Sequence, residues 1–226
     1  DVERERCVVA VVGDGRGGAG RSGGIVGQHG RADMAAMRPK RHAAVPILSA
    51  LLLAGCSAGA SAPPRVVEPR PDSAPAPRGT AALRAAMLTG HNRARAAVGV
   101  APLVWDDTLA AAARDYARQM ARTGRFAHAE QSQGPNRQGE NLFTGTRGAY
   151  RYDEMVDLWV DERRDFANRT VPGASISGNW AGVAHYVQIV WRGTRAVGCA
   201  MASGASDDYL VCRYSPAGNV VGQKAF

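Results

Sequence analysis

The sequence predicts an α+β domain confined to the C-terminal part of the chain. Three observations carry this. Composition breaks near residue 80, leaving about 145 residues with clear periodicity. Three stretches in that part repeat apolar residues at helical spacing. Near the C-terminus, two runs with β-branched residues flank a loop holding Gly204 and Asp207, the pattern of a hairpin.

Residues 1–36 are dominated by Gly, Arg and Ala and begin with Asp1 rather than Met. They contain a formal G-x-G-x-x-G match, Gly13–Gly18, after the apolar run Cys7–Val12. A dinucleotide site needs a helix opening at those glycines. Here glycines continue through Gly20, Gly23, Gly24, Gly27 and Gly30, which excludes that helix. The segment reads as a non-native upstream extension, with translation starting at Met34 or Met37.

Residues 37–56 read as a signal peptide. Met37–His42 is its basic start, and Ala43–Ala54 is an apolar run of twelve, too short for a permanent span. Leu53-Ala54-Gly55-Cys56 resembles a lipobox, which makes Cys56 the expected lipidation site, with ordinary secretion and cleavage near Ala58 or Ala60 as the alternative. Residues 57–82, rich in Pro and Ala, then read as an extended tether.

The first helix is expected over Ala81–Val98, with Leu83, Met87, Leu88 and Ala94 on its apolar side, closed by Gly99 and Pro102. The next starts at Asp106-Asp107 and places Leu109, Ala113, Tyr116, Ala117 and Met120 on one face before Gly124. The third, about Tyr152–Asn168, aligns Met155, Leu158, Trp159 and Phe166, and Glu162 falls within that apolar stripe. A carboxylate is almost never buried unpaired, so Glu162 must face a polar cleft, a cation or a donor.

Gly178–Trp191 holds Trp180, His185, Tyr186, Gln188 and Trp191, with Val183, Tyr186, Val187 and Val190 spaced as a short helix. His185 and Gln188 share a face. A lone histidine there is ordinarily structural. The strands Arg195–Ala202 and Tyr209–Tyr214 follow. Cys7 falls outside the expected mature chain and Cys56 takes lipid, so Cys199 and Cys212 remain to pair in an oxidising compartment.

The residues from Ser57 onward carry 20 Lys+Arg against 15 Asp+Glu, within a whole-chain net charge of +8. The arginines are scattered along helices, which gives a solvated basic surface attracted to anionic envelope polymers and no nucleic-acid footprint.

His185–Trp191 with Thr194, and Leu210–Asn219, resemble two signatures of the CAP superfamily: cysteine-rich secretory proteins, antigen 5 and plant pathogenesis-related class 1 proteins. His91-Asn92 and Gly139-Glu140-Asn141-Leu142 resemble two shorter ones. The likeness covers residues 83–226 and implies a three-layer α-β-α sandwich, with a small antiparallel sheet between helical layers. It departs from many members in having Ala184 before the histidine, and it lacks the extra cysteines of eukaryotic members.

The resemblance maps a cleft tetrad onto His128, Glu140, Glu162 and His185. Two imidazoles and two carboxylates permit Zn²⁺ or another divalent cation, and equally a hydrogen-bonded network without one. The implied function is a ligand-binding module for a lipid or envelope component, tethered to the membrane through Cys56 at the outer membrane or periplasmic face, or else extracellular. A monomer is expected. The enzymatic alternative is a metal-dependent hydrolase or peptidase using the tetrad. A serine nucleophile lacks a candidate, because Ser132, Ser175 and Ser177 have no G-x-S-x-G context. The loops Gln131–Gly139 and Arg169–Gly178 contain no aromatic residue, which weighs against a sterol site and leaves a fatty acyl one open.

Overall fold

A computed structural model describes residues 3–7, 65–70, 74–131, 134 and 136–226. The expected signal peptide, the G-x-G-x-x-G glycines and Cys56 lie outside the described residues. The elements are β1 (Glu3–Cys7), β2 (Arg65–Pro69), α1 (Thr80–Ala97), β3 (Val104–Trp105), α2 (Asp107–Thr123), β4 (Gly139–Thr146), α3 (Tyr152–Asp161), α4 (Ala184–Ile189), β5 (Ala196–Ser203) and β6 (Asp207–Ser215).

The strands form one six-stranded sheet in the order β2-β1-β4-β6-β5-β3. All pairings are antiparallel except β3 with β5. Side chains alternate across a strand, and β5 shows what this does to the core. Ala200 joins Ala113, Ala117, Met120 and Val211 in the cluster under α2. Val197 and Cys199 join Leu83, Met87, Met155, Trp159 and Val187 in the larger cluster under α1, α3 and α4. The sheet therefore lies between helical layers, in the α+β arrangement that the resemblance implies.

The helices begin and end for local reasons. Asp106 caps α2, its side chain accepting from Leu109 N at 2.9 Å, and Gly124 ends it at φ 67°, a left-handed conformation that glycine adopts without strain. Gly198 allows β5 to lie against the start of α2, since a Cβ there would meet the backbone of Asp106 and Ala110. Arg95 of α1 is buried and donates to the carbonyls of Ala101, Ile189, Trp191 and Thr194 at 2.6–2.9 Å. One guanidinium thus ties α1 to the chain that leaves α4.

Three features differ from the sequence expectation. The third helix stops at Asp161 rather than near Asn168; Glu162–Asp165 forms a 3₁₀ turn and Phe166 is extended, bridged to Ser175. Asp165 draws the chain out of the helix by accepting from the hydroxyls of Ser175 and Ser177, each at 2.6 Å, and from Ser177 N at 2.8 Å. Packing also begins upstream of Leu83: Ala76 N donates to Gly148 O at 2.9 Å, and Arg78 pairs with buried Asp208 at 2.7 Å. Finally, Glu3–Cys7, within the segment read as an upstream extension, pairs with β2 on one side and with Thr144-Gly145 of β4 on the other. Among the described residues no helix is long and apolar enough to cross a membrane.

Candidate functional site

Glu140 and Asn141 are consecutive in β4 and therefore address opposite faces of the sheet. The four residues of the expected tetrad are organised around that alternation, as two imidazole–carboxylate pairs.

On the α2 side, His128 Nδ1 lies 2.6 Å from Glu140 Oε1, which also accepts from Ala129 N at 3.0 Å. The other oxygen lies 2.8 Å from Arg213 Nη2, the cross-strand neighbour of Glu140 on β6. This is a charge contact without hydrogen-bond alignment, since neither Glu140 Oε2 nor Arg213 Nε makes a hydrogen bond. The Arg213 guanidinium also sits 5.4 Å over the ring of Tyr116. Burial and the Glu140 charge raise the Tyr116 hydroxyl pKa, against the lowering influence of Arg213.

On the opposite side, His185 Nδ1 lies 2.6 Å from Glu162 Oε1, and Glu162 Oε2 accepts from Tyr186 N at 3.0 Å. The His185 ring stacks on Trp159, with centroids 5.8 Å apart and planes 17° from parallel. Asn141 connects this half to the strand by donating to His185 O at 3.2 Å. The end of α3 explains the reach of Glu162: it is the first residue of the 3₁₀ turn, so its carboxylate meets the start of α4.

A carboxylate only accepts, so each histidine carries its proton on Nδ1 and turns Nε2 elsewhere. Both Nε2 atoms are buried and have no hydrogen-bond partner among the described residues. Carboxylate–imidazole pairs with a vacant Nε2 are the arrangement that orients histidines toward a metal. Against a tight site, no group of three or more His, Cys, Asp or Glu among the described residues is placed to hold an ion. Each vacant Nε2 could give an ion one protein nitrogen, with water or ligand oxygens completing its shell. The donor set does not fit a closed structural zinc centre. The hydroxyls of Ser175 and Ser177 bond Asp165 and each other, not a histidine, so neither of these two is set up as a nucleophile.

Sequence reasoning missed Arg213 and Trp159 as site residues. The signal for Arg213 was a charged residue in an otherwise apolar strand run, Tyr209–Tyr214.

The family model for CAP, the cysteine-rich secretory protein family, matches residues 88–214. The chain belongs to this family. The CAP domain is similar to pathogenesis-related protein 1C of Nicotiana tabacum, 38% identical over 140 residues, 62% of this chain and 78% of that protein. It is 39% identical over 145 residues to a pathogenesis-related protein of PR-1 type from Sambucus nigra, covering 62% and 79%. Among solved structures, NaASP2 with Zn²⁺ superposes with a TM-score of 0.55 at 23% identity, covering 66% of this chain and 86% of that one. Na-ASP-1 does so with a TM-score of 0.51 at 20% identity, covering 69% and 46%. These likenesses establish the CAP fold. Membership of a secretory family, together with the Cys199–Cys212 disulfide, makes this an exported CAP-domain protein.

Proposed function

We propose that this CAP domain is a ligand-binding module of the cell envelope, held at the membrane through lipid-modified Cys56 and acting as a monomer. The observation that carries the reading is the pair of buried, unpartnered Nε2 atoms on His128 and His185. Buried polar atoms ordinarily find a partner, and a bound ligand's hydroxyl or headgroup would supply one. Glu140 and Glu162 fix the ring orientations, and Arg213 balances the charge of Glu140. A lipid or envelope component with a polar head is the ligand class. Hydrolysis is the weaker reading, because Ser175 and Ser177 are committed to Asp165 and a third protein ligand for a metal is missing among the described residues.

If a divalent cation binds, Nε2 of His128 or of His185 would hold it, and the paired Glu140 or Glu162 would orient that ring. Such an ion would supply an acidified water.

Two titrations separate the readings. A fluorescent fatty acid should quench Trp159 emission and bind at least several-fold more weakly to His185→Ala than to the parent. Calorimetry with ZnCl₂ should give no submicromolar binding. Submicromolar zinc affinity lost in both His128→Ala and His185→Ala would reverse the preference toward metal chemistry. The anchor is tested separately: Cys56→Ser should leave the membrane fraction, and a variant that stays there defeats it.

A further inference from the structure

The outer edge of β5 is only partly covered. β3 pairs with it at Ala196 and Val197, through Val104 N to Arg195 O and Asp106 N to Val197 O, both 3.0 Å. Then the chain turns into α2, and no described residue pairs with this side of β5 beyond Val197. Which residues face outward follows from two bonds. Val197 gives its carbonyl to Asp106, so its polar groups point away from β6. Gly204 N donates inward to Asp207 O at 2.7 Å across the hairpin. Alternation between these fixes Cys199, Met201 and Ser203 as the residues whose N–H and C=O point off the sheet.

That open edge is the floor of a cavity of about 680 Å³, walled by the start of α1 and the start of α2. Leu83, Trp105, Ala110 and Met201 supply its apolar surface, and Arg84 and Arg114 its charge. The Arg84 guanidinium lies 5.5 Å from the Trp105 ring. Arg78 also lines the cavity but is neutralised by Asp208. The single acidic residue in the lining, Asp107, already accepts from Trp105 Nε1 at 2.9 Å. At the Ser203 end stands the N-terminus of α1, capped by Gly79 without a side-chain bond and with no acidic residue in its first turn. Its exposed Thr80, Ala81 and Ala82 begin an 18-residue helix whose dipole favours an anion there.

We propose that this groove docks an extended peptide, which adds to the sheet beside β5 and ends in a free C-terminal carboxylate near Thr80. The row of backbone donors and acceptors calls for another backbone; an acyl chain would leave them unsatisfied. With its carboxylate at the Ser203 end, the peptide runs parallel to β5, in the same sense as β3, and continues the row that β3 begins. Four or five residues span Cys199 to Ser203. Arg84 and Arg114 complement the negative end. This site is separate from the histidine pairs and does not depend on the function proposed for them.

The test uses the oxidised full chain and a fluorescein-labelled hexapeptide, Thr-Val-Thr-Val-Thr-Val, with a free carboxylate, read by anisotropy. Amidating the peptide terminus, or reversing charge with Arg84→Glu plus Arg114→Glu, should weaken binding about tenfold, the worth of one charge-assisted contact. Met201→Pro removes an outward N–H that β6 does not use, so the fold should survive while binding falls by at least as much. If that variant fails to fold, N-methylating alternate residues of the peptide makes the same test on the parent protein. Equal binding of acid and amide, or binding by Met201→Pro within about twofold of the parent, would overturn the proposal. So would the absence of saturable binding, or sedimentation showing a dimer that Met201→Pro disperses, since the edge would then belong to a second copy.

Discussion

His91 Nε2 accepts the hydroxyl proton of Tyr214 at 2.7 Å while its Nδ1 donates to Met87 O at 2.7 Å. Both residues are fully buried, so the pair fixes one neutral tautomer of His91 between α1 and β6. Protonating Nε2 would break the bond from Tyr214.

This arrangement predicts acid sensitivity. Burial lowers the His91 pKa from 6.5 to about 4, helped by the charge of Arg95 and opposed by the bond to Met87. The folded pKa is depressed, so below 6.5 the unfolded chain takes up a proton that the folded one refuses. Stability from this residue is present above 6.5 and lost as pH falls toward 4. The loss is about 3 kcal/mol over that window, at 1.36 kcal/mol per pKa unit. Urea denaturation at stepped pH measures it, and His91→Gln should flatten that part of the profile. An unchanged slope in the variant would assign the acid sensitivity to other groups.

Cys199 and Cys212 face each other across the hairpin with Cα atoms 4.1 Å apart. The close approach is that of a non-hydrogen-bonded antiparallel pair. Replacing both by Ala should cost about 3 kcal/mol on the chain-entropy model for a short loop. The denaturation midpoint should fall while fatty-acid affinity stays near that of the parent. A loss of affinity at full folding would mean that the bond shapes the cleft.

Arg95 should be among the least replaceable residues. Desolvation lowers its pKa from 12.5 to about 10, which still leaves it charged at neutral pH. Arg95→Met keeps much of the volume and strands three carbonyls, since Trp191 O still accepts from Thr194 N at 3.1 Å. A loss of about 3 kcal/mol or more is expected, since each buried unsatisfied acceptor costs about 1 kcal/mol at the least. Thermal melting reads this directly, and a variant as stable as the parent would show that water replaces the guanidinium.

Gly198→Ala should damage the α2–β5 contact, because the new methyl would meet the backbone of Asp106 and Ala110 rather than a side chain that can turn aside. The cost should be about 3 kcal/mol, at the upper end for overpacking. Gly182→Ala is the control, since its methyl would meet only the side chain of Asn179 at 3.1 Å. Comparable losses in the two variants would contradict this reading.

The helices were readable where one face is apolar and the ends carry standard caps. α2 shows both, with Leu109, Ala113, Ala117 and Met120 buried between Asp106 and Gly124. The hairpin was readable from its loop. β4 was not identified as a strand, because its positions from Glu140 to Gly145 are buried on both faces and give no alternation. β3 is two residues long and has no pattern at all. The stripe through Phe166 suggested a longer third helix, yet Phe166 reaches Tyr186 and Phe226 from extended chain after the 3₁₀ turn. Glu162 was legible because a carboxylate in an apolar stripe needs a partner. The bond of Asp165 to distant serines, which ends the helix, leaves no local trace.

Asn141, Cys212 and Cys199 form one cross-strand row, and Glu140, Arg213 and Gly198 form the next. Sliding β4 by a single residue against β6 would exchange the faces of Glu140 and Asn141 and unmake both histidine pairs together. The covalent bond holds β5 to β6, but nothing covalent holds β4. Its register is enforced by the Glu140–Arg213 charge contact and by Asn141's bond to the start of α4. The two imidazole–carboxylate pairs therefore report strand alignment: a chain folded one step out of register can form neither.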